Sequence, residues 1–78
     1  MSFVTSEKML LDAQKGGYAV GAFNVENMEM VMAVIAAAEE LRAPLMLQTT
    51  PSTLKYAGLD MYLANVETAA KKASVPVC

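Results

Sequence analysis

The 78-residue sequence contains no histidine, no tryptophan and only one cysteine. Without histidine, no mechanism that needs an imidazole base or an imidazole metal ligand can be completed within these residues. The single cysteine, Cys78, cannot form an internal disulfide bond, which is compatible with a reducing compartment but does not require one. The opening residues lack a cationic region followed by an apolar stretch, so we do not interpret them as a signal peptide.

Charged residues and long apolar runs are also scarce. Charged residues make up 18% of the sequence and the net charge is −2, so we expect no basic surface for nucleic acid. The longest apolar run, residues 30–38, is far shorter than the roughly 20 residues that a membrane span needs. We therefore predict neither a nucleic acid nor a membrane as a partner.

The hydrophobic fraction, in contrast, is high at 55%. A lone domain of this size buries only about 60% of its unfolded surface and usually needs a large polar surface. The composition therefore favours a chain that forms part of a larger folded body.

The order of polar and apolar residues predicts alternating helices and strands. The first helix follows a cap at Thr5 and stops at Gly16-Gly17. The other predicted helices cover residues 28–42 and 60–74, with caps at Asn27 and Asp60. The predicted strands cover residues 18–23 and 44–50, and a third strand starts at residues 75–78. Residues 51–58 are predicted to form a loop.

Two of the predicted helices have an apolar face at helical spacing. The face of the second helix comprises Met28, Val31, Met32, Ile35 and Ala38. The face of the third helix comprises Tyr62, Val66, Ala69 and Ala73. Both faces are expected to pack on the sheet.

Alternating helices and strands are typical of parallel βαβ units with right-handed crossovers. Strands that are apolar on both faces need cover on both sides. A complete barrel of eight such units has about 250 residues. We therefore predict an α/β fold in which residues 1–78 are the amino-terminal portion of a single TIM-type (β/α)8 barrel domain: helix, strand, helix, strand, helix and the start of the third strand.

Polar side chains end the first two predicted strands. Asn24 ends the first, and Gln48, Thr49 and Thr50 end the second. In parallel barrels the reactive residues lie at the carboxyl ends of the strands. Amides and hydroxyls can both donate and accept hydrogen bonds, which suits a polyhydroxylated, anionic substrate. The ordinary alternative is that asparagine ends a strand because it tolerates turn conformations.

Three segments show a resemblance to a known family. "SEKMLLDAQKGGYAVGAFNVENME", "APLMLQTTPSTLKYAG" and "VPVC" resemble, in the same order, the first three strand regions of class II ketose-bisphosphate aldolases. The resemblance covers essentially all 78 residues. It implies a (β/α)8 barrel that reversibly cleaves a ketose 1,6-bisphosphate, of the fructose or tagatose type, to dihydroxyacetone phosphate and an aldehyde, glyceraldehyde 3-phosphate. It also implies a cytoplasmic homo-oligomer of carbohydrate metabolism.

The resemblance implies roles for three residues. Asn24 matches the asparagine that lines the substrate site, Thr50 matches a small hydroxylated position that binds substrate near a phosphate, and Gln48 is a further substrate-binding candidate. Family members hold a zinc ion through histidines and move a proton with an aspartate, and both are expected after Cys78. The segment alone should therefore have no catalytic residue, no metal ligand and no activity. The sugar is not assigned, although "TPST" looks more like the tagatose-type loop.

Two alternatives remain open from the sequence. The chain could be a small non-catalytic α/β module that associates with itself or binds a partner through its apolar faces and unpaired strand edges. It could also belong to a barrel relative that has lost the chemistry.

Overall fold

A computed structural model describes residues 2–78. The described helices and strands alternate, as predicted for an α/β fold, with one additional short helix. In chain order they are α1 (Ser6–Gly16), β1 (Gly21–Asn24), α2 (Met28–Leu41), β2 (Leu45–Gln48), α3 (Pro51–Ala57) and α4 (Leu59–Lys72). No described helix is both long enough and apolar enough to cross a membrane.

The two strands pair in parallel, with Asn24 beside Gln48 at the end of the ladder. Val77 forms a parallel bridge to Leu45 on one side and to Phe3 on the other. The predicted third strand thus begins beside β2, and the residues just before α1 cover its far side. Since parallel strands run in one direction, the carboxyl ends of β1 and β2 meet at one edge of the sheet.

The core lies between the sheet and helices α2 and α4, which pack against each other. Its buried residues are Val25, Val31, Ile35, Ala38, Leu45, Ala70, Ala73, Val75 and Val77. The predicted face of α4 is confirmed, because Ala73 is buried and its other three residues pack against this core.

The predicted face of α2 is only partly right. Val31, Ile35 and Ala38 are buried, whereas Met28 and Met32 are 52% and 58% exposed. Only one stripe of α2 contacts the sheet and α4 within the described residues, so the two methionines lie outside that stripe. Helical spacing gives the direction of an apolar face but not the width that its neighbours cover.

The prediction of a loop at residues 51–58 is wrong, because Pro51–Ala57 forms α3. Proline is well tolerated at the first position of a helix, where its missing N–H would have no partner. Gly58 then separates α3 from α4 with a φ of 85°. The predicted cap at Asp60 is also wrong: α4 begins at Leu59, and the Asp60 carboxylate accepts a hydrogen bond of 2.9 Å from the Met61 N–H.

The observed strands are shorter than predicted. The backbone of Tyr18 donates to the carbonyl of Ala13 and so completes the end of α1 instead of starting β1.

Asn27 caps α2 as predicted, accepting a 2.8 Å hydrogen bond from the next turn. Thr5 occupies the cap position of α1, but its side chain makes no capping bond.

Candidate functional site

The carboxyl ends of the two strands bring Asn24 and Gln48 together. The Nε2 atom of Gln48 donates a hydrogen bond of 2.6 Å to the Oδ1 atom of Asn24, and both residues are exposed. This bond leaves the side-chain NH₂ group of Asn24 and the side-chain carbonyl oxygen of Gln48 open to a ligand, because each side-chain amide has two donor positions and two acceptor positions. The pair can therefore donate and accept at one place without carrying charge.

Three hydrogen bonds from two donors connect the backbone of the two strand ends behind the amide pair. The N–H of Val25, which follows Asn24 and is fully buried, donates a 3.0 Å hydrogen bond to the carbonyl of Gln48. The hydroxyl of Tyr62, in the first turns of α4, donates to the Val25 carbonyl at 3.0 Å and also lies 3.3 Å from the Gln48 carbonyl. Helix α4 thus contacts the ends of both strands.

Thr50 belongs to a separate cluster of hydroxyl groups at the start of α3. Its Oγ1 atom lies 2.9 Å from the Oγ of Ser52 and 3.3 Å from the Oγ1 of Thr53. Thr50 occupies the cap position of α3, yet its side chain makes no capping bond to the backbone. Its hydroxyl is therefore shared among neighbouring hydroxyls, which offer donors and acceptors without charge.

Thr49 differs from its neighbours. Its hydroxyl oxygen is buried and has no hydrogen-bond partner among the described residues. It borders a largely apolar cavity of about 270 Å³ that is also lined by Tyr62 and Cys78. Thr49 is thus not joined to the amide pair by a hydrogen bond.

A larger cavity of about 620 Å³ lies at the opposite edge of the sheet. Its lining includes Lys8 and Asp12 of α1, and the prolines that precede β2 and Val77. The pKa of Lys8 is raised above its ordinary 10.5, first by its hydrogen bond to Asp12 and then by the charge of that carboxylate. The pair is exposed, so this cavity contains a solvated ion pair far from the strand ends that carry the amides.

The described residues do not fit a zinc site. Between residues 2 and 78 no group of three or more histidine, cysteine, aspartate or glutamate side chains is placed to hold a metal ion. The arrangement at the strand ends consists of amides and hydroxyls, which suit hydrogen bonding to a substrate rather than zinc coordination.

Comparison with known proteins identifies the class of protein. The family model for class-II fructose-bisphosphate aldolase matches residues 4–78, so the chain belongs to that family. Members of this family are generally zinc-dependent. The family resemblance found in the sequence is confirmed.

Two relatives show the level of similarity. The D-tagatose-1,6-bisphosphate aldolase subunit GatY of Klebsiella oxytoca is 44% identical over 77 residues, which are 99% of this chain and 27% of GatY. The crystal structure of the YdjI aldolase from Escherichia coli K12 superposes with a TM-score of 0.89 at 32% identity, over 96% of this chain and 29% of YdjI. The chain therefore spans a little over a quarter of the length of these relatives.

Of the three substrate-binding residues predicted from the sequence, the structure joins two. Asn24 and Gln48 are hydrogen-bonded, whereas Thr50 makes its contacts with Ser52 and Thr53. The contact of Tyr62 with the strand ends was not predicted, because helical spacing assigns this residue only to the apolar face of α4. A tyrosine on an apolar face was the available signal, since a partly buried phenol usually finds a hydrogen-bond partner.

Proposed function

We propose that the full-length protein containing this chain cleaves a ketose 1,6-bisphosphate reversibly to dihydroxyacetone phosphate and glyceraldehyde 3-phosphate. The observation that carries the proposal is the Asn24–Gln48 amide pair at the carboxyl edge of parallel strands in a chain of the class II aldolase family. The similarity to a subunit named as a tagatose-bisphosphate aldolase supports a sugar bisphosphate as the substrate class.

In this proposal Asn24 binds the reacting part of the substrate. Its Oδ1 atom accepts a hydrogen bond from Gln48, which restricts the orientation of the amide and leaves its NH₂ group without that partner. That NH₂ group can donate to a substrate hydroxyl or to the enediolate oxygen, where charge develops during cleavage. Thr50 is proposed to bind close to a phosphate, through a hydroxyl that already lies among other hydroxyls.

We further propose that residues 1–78 form the amino-terminal part of a single (β/α)8 barrel. The helix–strand order and the superposition on the YdjI aldolase support this arrangement. So does Phe23, a β1 residue that is 49% exposed and would be covered by further barrel elements. Zinc would be bound by histidines elsewhere in the protein and would polarise the ketone. The residues described above contribute binding and orientation, within a cytoplasmic homo-oligomer.

The test compares purified full-length variants for release of dihydroxyacetone phosphate from fructose and tagatose 1,6-bisphosphates. Asn24→Ala is expected to lower kcat/KM by about 10- to 100-fold, as for loss of one donor to developing charge. Gln14→Ala is the matched control, because Gln14 carries the same amide on an exposed position of α1. Equal values for the two variants would contradict the role of Asn24.

The same assay separates the remaining alternatives. A full-length protein that cleaves neither sugar, and whose isolated residues 1–78 unfold cooperatively, would favour a non-catalytic association module. Absence of cleavage together with replaced zinc histidines downstream would identify a relative that has lost the chemistry. The proposal itself expects the 78-residue segment alone to be inactive.

A further inference from the structure

We propose that Tyr62 is a positioning residue for the substrate site: its hydroxyl orients the Asn24–Gln48 amide pair through the backbone of both strand ends. Tyr62 itself is not proposed to touch the substrate. The catalytic part of this inference rests on the proposed function, whereas its structural part does not.

The contacts form a closed set around the strand ends. Tyr62 donates to the carbonyl of Val25, the residue directly after Asn24, at 3.0 Å. The same hydroxyl lies 3.3 Å from the carbonyl of Gln48, which also accepts the Val25 N–H at 3.0 Å. One phenolic proton is thus placed between two carbonyls that belong to, or follow, the two amide residues.

The position of these contacts makes the hydroxyl important for orientation. Asn24 and Gln48 are the last residues of their strands, and each chain turns away toward a helix within a few residues. Backbone at the end of a ladder opens more easily than backbone inside it. A tyrosine has few rotatable bonds, and the ring of Tyr62 packs against the core, so its hydroxyl has little freedom to move. Its hydrogen bonds therefore hold the backbone at both strand ends in place.

Removing only the hydroxyl separates positioning from packing. Tyr62→Phe keeps the ring in the core and deletes the donor. If the hydroxyl contributes only to stability, the variant is less stable but the amide pair keeps its orientation. If Tyr62 positions the pair, the loss of kcat/KM depends on the presence of the Asn24 side chain, because the effect reaches the substrate through that amide.

The first experiment is a double-mutant cycle in the full-length protein with Tyr62→Phe and Asn24→Ala. Tyr62→Phe is expected to lower kcat/KM by about 3- to 10-fold, and by much less in the Asn24→Ala background. Tyr56→Phe is the matched control, since Tyr56 is 87% exposed, and it should leave kcat/KM unchanged. An unchanged kcat/KM in Tyr62→Phe, or additive losses in the double variant, would overturn the proposal.

The second experiment does not depend on activity. The side-chain NH₂ resonances of Asn24 and Gln48 in ¹⁵N spectra should shift in Tyr62→Phe and stay in place in Tyr56→Phe. If the parent protein does not cleave a ketose bisphosphate, the proposed function fails and these resonances alone decide on Tyr62. Unchanged resonances in Tyr62→Phe would refute the positioning role whether or not the parent is active.

Discussion

Of the two glycines with positive φ in the described residues, Gly58 should tolerate replacement less well than Gly17. It joins α3 to α4 with φ 85° and ψ 138°, a combination essentially restricted to glycine. Gly17, at the end of α1, has φ 71° and ψ 34°, which is the ordinary left-handed region. A Cβ atom at Gly58 would also lie 3.0 Å from the carboxylate of Asp60, whereas at Gly17 it would meet nothing within 4 Å.

These conformational differences set the expected losses in the free energy of unfolding. Alanine at position 58 should lower the free energy of unfolding by about 2 kcal/mol, since a residue in such a sparsely populated region costs roughly 1–3 kcal/mol. Gly17→Ala should cost about 1 kcal/mol or less, because the left-handed penalty of roughly 1–2 kcal/mol is partly offset by the reduced entropy of the unfolded chain. Gly17→Asn should be nearly neutral, because asparagine tolerates this conformation.

Urea unfolding of the parent and the three variants measures these differences, with slopes compared to check that the unfolded states are alike. Equal losses for Gly58→Ala and Gly17→Ala, or a larger loss at position 17, would refute the conformational argument. The result bears on the site, because the carbonyl of Gly58 accepts the N–H of Tyr62 and so helps to place it.

Three further predictions concern single contacts. Asp12→Asn should lower the pKa of Lys8, which NMR titration of the Lys8 side chain measures. Because the folded-state pKa of Lys8 is raised, the stabilisation by this pair is present below pH 10.5 and is lost as the pH rises through the raised value. Glu39→Ala should lower the free energy of unfolding by about 1 kcal/mol, because this carboxylate accepts both the N–H and the hydroxyl of Ser74; an unchanged urea midpoint would contradict it. Asn27→Ala should also cost about 1 kcal/mol through loss of the α2 cap, and hydrogen exchange in the first turn of α2 should become faster.

The proximity of Asn24 and Gln48 could be predicted from the sequence, because it depends on strand register alone. Once Asn24 and Gln48 are recognised as the ends of neighbouring parallel strands, their contact follows from the ladder. The contact of Tyr62 could not be predicted in this way. Helical spacing gives the face on which a side chain lies, but the reach of its hydroxyl depends on how far α4 extends past the sheet.

The fold was predicted less well where local signals have two meanings. Proline and glycine bound a loop, but the same residues also start and stop a helix, and Pro51 and Gly58 do the latter. The exposure of Met28 and Met32 depends on which elements cover α2, and this information lies outside the helix. Packing between distant elements therefore decides which residues of an apolar helix face are buried, and sequence periodicity alone does not.

The most direct test of the proposed function is the release of dihydroxyacetone phosphate by the full-length protein, before chelation, after chelation and after zinc is restored. We expect cleavage of at least one of the fructose and tagatose bisphosphates, its loss on chelation and its recovery with zinc. Failure to cleave either sugar in the presence of zinc would contradict the proposed activity, and cleavage that survives complete removal of metal would contradict the zinc-dependent mechanism.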